Sequence, residues 1–176
     1  MFKKYLVLAA LVTGLFIGFA TEIRAQNSRL DRQIRKEILT LPYYNVFDAI
    51  GYELDNGTVT LNGYVVRPTT KKDAEESIAD IDGVRRVVNN IVVLPVSISD
   101  DRIRRRVLQT LNNGGSLYRY FLGTNPSIRI IVNRGRVSLE GYADTKGDAN
   151  LAYILARGVP GTFGVTNNLK VLKDAR

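Results

Sequence analysis

The chain has 176 residues, 45% hydrophobic and 24% charged, with a formal net charge of +8, proportions ordinary for a globular protein. It contains no cysteine and no histidine. Disulfides and a lipid-modified cysteine behind a leader are thereby excluded, and most acid–base and thiol chemistry is unavailable, so no enzyme is expected.

Residues 1–25 read as a secretory signal peptide. Lys3 and Lys4 form a basic start, Tyr5 to Ala20 is apolar and uncharged, and Ile23-Arg24-Ala25 ends on a small residue, which places cleavage between Ala25 and Gln26. The alternative, an uncleaved membrane anchor, needs about 20 apolar residues, and this run is shorter. Losing three basic residues and one acid would leave the exported chain at +6. A periplasmic location is expected, without a lipid anchor. An exported basic chain meets acidic surfaces such as phospholipid head groups rather than nucleic acid.

Residues 26–97 form the first expected domain. Leu30, Ile34, Ile38 and Leu41 recur at helical spacing until Pro42 stops the helix. Val46 to Leu54 and Thr58 to Val65 read as strands joined at Asp55-Asn56-Gly57, a turn whose residues accept positive φ. A second helix follows Pro68, with Thr69 or Thr70 offering a partial capping box and Ala74, Ile78 and Ile81 its buried stripe. Asp82-Gly83 turns the chain into a third strand, Val84 to Leu94. The result is α-β-β-α-β, an α+β fold with two helices on one face of a three-stranded mixed sheet. Val96 to Ser99 is too short for a flexible linker, so the two domains should sit close together.

Residues 98–176 repeat the plan. Asp100-Asp101 begins a helix with Ile103, Val107, Leu108 and Leu111 as its apolar stripe. Strands Ile128 to Val132 and Arg136 to Ala143 flank the turn Asn133-Arg134-Gly135, and a helix from about Thr145 to Ala156 leads to a last strand through Leu172. The sequence itself shows the duplication: without a gap, Asn56 to Leu94 aligns with Arg134 to Leu172, seventy-eight positions later. Gly57, Gly63, Gly83 and Asn89 fall on Gly135, Gly141, Gly161 and Asn167. The first helices align at sixty-nine, so the second copy carries nine extra residues within Asn112 to Ser127.

This unit resembles the BON domain family (bacterial OsmY and nodulation). The resemblance rests on Gly57, Val59, Leu61 and Gly63, on Ala74, and on Gly83, Val84, Val87, Asn89, Ile91 and Val93, with their counterparts in the second copy. Thr162 departs from the pattern, which usually has valine there. The resemblance implies tandem BON domains in a non-enzymatic periplasmic protein of envelope maintenance or osmotic stress. Its partners would be anionic phospholipid, including the inner face of the outer membrane, or envelope proteins assisted in a chaperone-like way. It carries no catalytic residue, metal or cofactor across. The glycines and asparagines named above are structural motif residues.

Two stretches stand apart from the fold pattern. Arg102, Arg104, Arg105 and Arg106 crowd two turns of one helix, a density beyond what solubility requires. Tyr118, Arg119, Tyr120 and Phe121, between Leu117 and Leu122, could form an interfacial wedge, or could pack into their own domain or against the first as an interdomain plug. Together these residues are the expected lipid-binding surface. Tyr64 and Tyr142 read as strand-edge packing, and Glu75, Glu76, Asp80 and Asp82 as a solvated face without the spacing of a calcium loop.

Overall fold

The computed structural model describes residues 28–172. The expected leader therefore lies outside the described residues. The first helix, α1, runs through residues 28–40 and buries Leu30, Ile34 and Ile38, with Leu41 just behind it. The first unit continues with β1 (Ala49–Asp55), β2 (Thr58–Val65), α2 (Pro68–Ala79) and β3 (Arg86–Val93). The second has α3 (Ile98–Asn112), a 3₁₀ helix (Gly115–Phe121), β4 (Ile128–Asn133), β5 (Arg136–Ala143), α4 (Lys146–Arg157), β6 (Gly164–Asn167) and β7 (Lys170–Val171).

In each unit the central strand pairs antiparallel with its hairpin partner and parallel with the last strand. Alternation along β2 sends Val59, Leu61 and Val65 into a core with Ile34, Ala74, Ile78 and Ile91. The same positions of β5 send Val137, Leu139 and Ala143 against Val107, Leu111 and Ala152.

The duplicated residues have identifiable work. Asn56-Gly57 and Arg134-Gly135 both take positive φ, as a two-residue hairpin turn demands. Gly63 and Gly141 lie so close to the neighbouring chain that a Cβ would stand 2.0 Å from the Ala49 carbonyl oxygen and 2.1 Å from that of Ser127. Only glycine fits there. Asn89 Nδ2 donates to the Lys71 carbonyl while its Oδ1 accepts from Ile91 N–H. Asn167 repeats this with the Ala149 carbonyl and Leu169 N–H. Each asparagine ties the last strand to its helix and satisfies the N–H two residues further on.

Several expectations need correction. β1 starts at Ala49 rather than Val46, because Val46 and Phe47 pack on the core of the other unit. β3 starts at Arg86, since Val84 and Arg85 still bond in the turn, to the Ile81 and Gly57 carbonyls. α2 has no side-chain cap: Pro68 occupies its first turn and Arg67 precedes it in extended conformation. α3 begins at Ile98, two residues early, because the Ser97 hydroxyl accepts from Asp100 N–H and caps it. The last strand of unit two is split into β6 and β7, interrupted at Asn168-Leu169.

The units are interlocked. The connector between α1 and β1 reaches across, where Ile130 N–H of β4 donates to the Val46 carbonyl at 2.8 Å and the Val46 side chain enters the core of unit two. Beside it, Arg129 Nη1 donates to the Asn45 carbonyl at 2.8 Å and its guanidinium lies 4.5 Å from the centre of the Tyr44 ring. Asp48, 1% exposed, accepts from Asn45 N–H and Val66 N–H. Burial holds the Arg129 guanidinium below its ordinary value and pushes the Asp48 carboxyl and Tyr44 phenol up. This connector covers the free edge of β4, an edge that would otherwise invite pairing with another chain.

Candidate functional site

The arginine run of α3 is divided by helix phase. Arg104 falls on the buried side, one residue from Ile103 and three before Val107, and is 2% exposed. Its guanidinium pairs with Asp101 and donates to the Val132 carbonyl at 2.7 Å, so it fastens α3 to β4. It is therefore a structural residue and leaves the expected surface. Arg102, Arg105 and Arg106 remain exposed, on the stripe that begins with Ile98. No salt bridge among the described residues reaches these three.

The aromatic segment is mostly packed. Leu117 and Tyr120 are buried, and Phe121 packs partly buried against the core. Tyr120 Oη donates to Asp148 Oδ2 at 2.8 Å, and accepts from Asp144 N–H and from Arg119 Nη2. Arg119 Nη2 also pairs with Asp148 at 2.7 Å. Burial alone would raise the Asp148 carboxyl, but hydrogen bonds from Thr145, Tyr120 and Ser116 and the Arg119 charge outweigh it and hold it below its ordinary value. Tyr120 and Arg119 are thus engaged in fastening the 3₁₀ helix to α4. Of the four, Tyr118 stands out most into solvent, at 53%. This segment follows the C-terminus of α3, about 20 Å from the helix start. Of these four residues, Tyr118 and Arg119 are exposed, Phe121 is partly buried and Tyr120 is buried.

A cleft lies at the start of α3, with a volume of about 440 Å³. Arg102 and Arg106 form one wall, and Arg134 with Gly135, at the β4–β5 turn, forms another. Pro160, Gly161 and Phe163 bring the loop after α4 to the same opening. Buried Asp100 also lines it, with both carboxylate oxygens engaged at 2.8 Å by Arg134 N–H and Gly135 N–H. That carboxylate clamps the turn to the helix. Phe163 is 80% exposed and lies over Gly135, where an added Cβ would meet its ring at 2.4 Å. Ile98, at the top of the arginine stripe, is 77% exposed.

Arg134 and Phe163 were missed from sequence, yet the repeat alignment marks both. Arg134 stands against Asn56 at a left-handed turn position, and Phe163 against Arg85, the residue lying over Gly57. The described residues hold no group of acidic side chains suited to a metal ion. None of their helices is long and apolar enough to cross a membrane.

The BON domain model matches residues 27–95 and again residues 99–173. The chain belongs to the BON domain family. Its members occur in periplasmic and envelope proteins and are generally non-enzymatic. No curated protein matches the sequence. Among solved structures, the C-terminal domain of CdsD, a structural protein of the type III secretion system of Chlamydia trachomatis, is similar at 13% identity and a TM-score of 0.32. That alignment covers 81% of this chain and 96% of the other. A second CdsD structure gives 13% identity and a TM-score of 0.31, over 84% and 93%. Similarity at that level carries no weight for function.

Proposed function

We propose that this BON protein is a non-enzymatic periplasmic module of envelope maintenance under stress, which docks its second unit on anionic phospholipid. The observation that carries the reading is the end of unit two around the cleft. Arg102, Arg105, Arg106 and Arg134 are exposed there without an ion pair among the described residues. Ile98 and Phe163 stand out beside them.

Guanidinium groups pair bidentately with phosphate oxygens, and apolar side chains gain by entering the head-group layer. Each basic residue near an anionic leaflet contributes about 1 kcal/mol, so four would support reversible docking without a lipid anchor.

Co-sedimentation of the chain freed of residues 1–25 with neutral and anionic vesicles tests this. Binding should require anionic lipid, weaken with salt, and disappear when Arg102, Arg105 and Arg106 are changed to Glu. Arg104 is left intact in that variant because the fold depends on it. Absence of binding at low salt would sink the lipid reading. Suppression of client aggregation would then be measured, for the chaperone-like alternative.

A further inference from the structure

We infer that the cleft is a discrete binding site for a phosphate monoester, and that it gives the docking surface a preference among anionic lipids. The inference rests on the lipid-docking reading and adds a ligand class to it.

Three features point to a built site rather than to diffuse positive charge. First, the volume of about 440 Å³ lies within the range of about 300–1,000 Å³ typical of small-ligand sites. Second, three arginines, Arg102, Arg106 and Arg134, line the cleft against one acidic residue, Asp100. The net of two positive charges matches a dianionic phosphate monoester and exceeds what a singly charged diester can neutralise. Asp100 accepts one turn N–H with each oxygen, and no salt bridge among the described residues joins it to the arginines. It also occupies the first turn of α3 alongside the Ser97 cap, so the guanidiniums, and not the helix terminus, would hold the ligand.

Third, Arg134 occupies a conformation that suits it poorly. It sits at φ 51° in the hairpin turn, where unit one has Asn56 at φ 47°. Asparagine tolerates the left-handed region better than arginine does. An arginine is thus kept in the cleft lining at a turn position that asparagine would suit better. Phe163 completes the opening with an apolar lip over Gly135, suited to the glycerol and upper acyl region of a lipid.

The test uses phosphatidylcholine vesicles carrying either phosphatidic acid, a monoester, or phosphatidylglycerol, a diester, at matched surface charge. The expected result is a preference for phosphatidic acid on the order of five-fold, the worth of part of one extra charge-assisted hydrogen bond. Arg134→Asn should abolish the preference while raising the melting temperature, an outcome that damage to the fold cannot mimic. Arg105→Gln, outside the cleft lining, should weaken binding to both vesicles alike and leave the preference intact.

Glycerol 3-phosphate in solution separates the sources of the ligand. Competition by it would support a site open to soluble monoesters too. Preference without competition would support a site that works only at the lipid surface. Equal binding to the two vesicles would overturn the inference while leaving docking in place. Binding to neither would remove the docking reading itself.

Discussion

The two units share a fold, and the differences at the edge strand and the hairpin end teach most. Where unit two has Arg129, Ile130 and Ile131 on β4, the aligned residues of unit one are Gly51, Tyr52 and Glu53. Unit two uses this strand as a socket: Ile131 is 3% exposed, Arg129 holds the connector, and Ile130 bonds to Val46. In unit one Gly51 and Glu53 are exposed, and Tyr52 turns inward to bond Asp31 of α1; burial, and after it that hydrogen bond, push its phenol up to about 12. At the hairpin end, Asp100 clamps the turn of unit two, whereas its counterpart Asp31 holds Tyr52. Duplication kept the residues that a turn, a close approach or a strand–helix tie requires. It freed the remainder, and unit two used that freedom for a joint and for a basic cleft.

The sharpest way to break this comparison is at the joint. Val46→Asp should destabilise the chain by about 3–4 kcal/mol, because it places a carboxylate in the core of unit two. Val46→Ala should cost about 2 kcal/mol. Both should appear in denaturant melts as a loss from unit two, although the residue belongs to unit one by sequence.

Nothing local in the sequence shows that destination. Val46-Phe47-Asp48-Ala49-Ile50 alternates acceptably for a strand, and only the tertiary partner decides between edge pairing and extension of β1. The hairpins were legible because Asn56-Gly57 and the valines and leucines two apart are local signals. The burial of Arg104 was also available, since the spacing 100, 104, 107, 111 is a helix stripe, but four nearly consecutive arginines read as one exposed basic surface. Tyr120 was hidden differently: its partner Asp148 lies on another helix.

Asp100→Ala should cost about 2–3 kcal/mol, since it leaves two turn N–H groups without their acceptor. Asp31→Ala, at the aligned position, should cost only about 1 kcal/mol, for one hydrogen bond from a phenol. Equal losses in thermal unfolding would show that the two aspartates have not diverged.

A smaller effect separates the inserted segment from unit one, which lacks it. The folded Asp148 carboxyl lies below its ordinary value of 3.8. Its contribution to stability is therefore fully present above that pH and is lost as pH falls through the folded value. Asp148→Asn should flatten the acid limb of stability against pH, and hydrogen exchange in residues 115–121 should rise.

The smallest change runs the other way. Arg134→Asn gives unit two the turn residue of unit one and should stabilise it by about 0.5–1 kcal/mol in a thermal melt.

The central claim is that unit two alone carries the docking surface, at the cleft end. Hydrogen–deuterium exchange of the chain freed of residues 1–25, with and without anionic vesicles, tests it most directly. The account predicts vesicle-dependent protection at residues 97–106, 134–136 and 160–163, with the corresponding turn of unit one, residues 56–58 and 82–86, unchanged. Protection of both turns alike, or protection centred on residues 117–122, would contradict it.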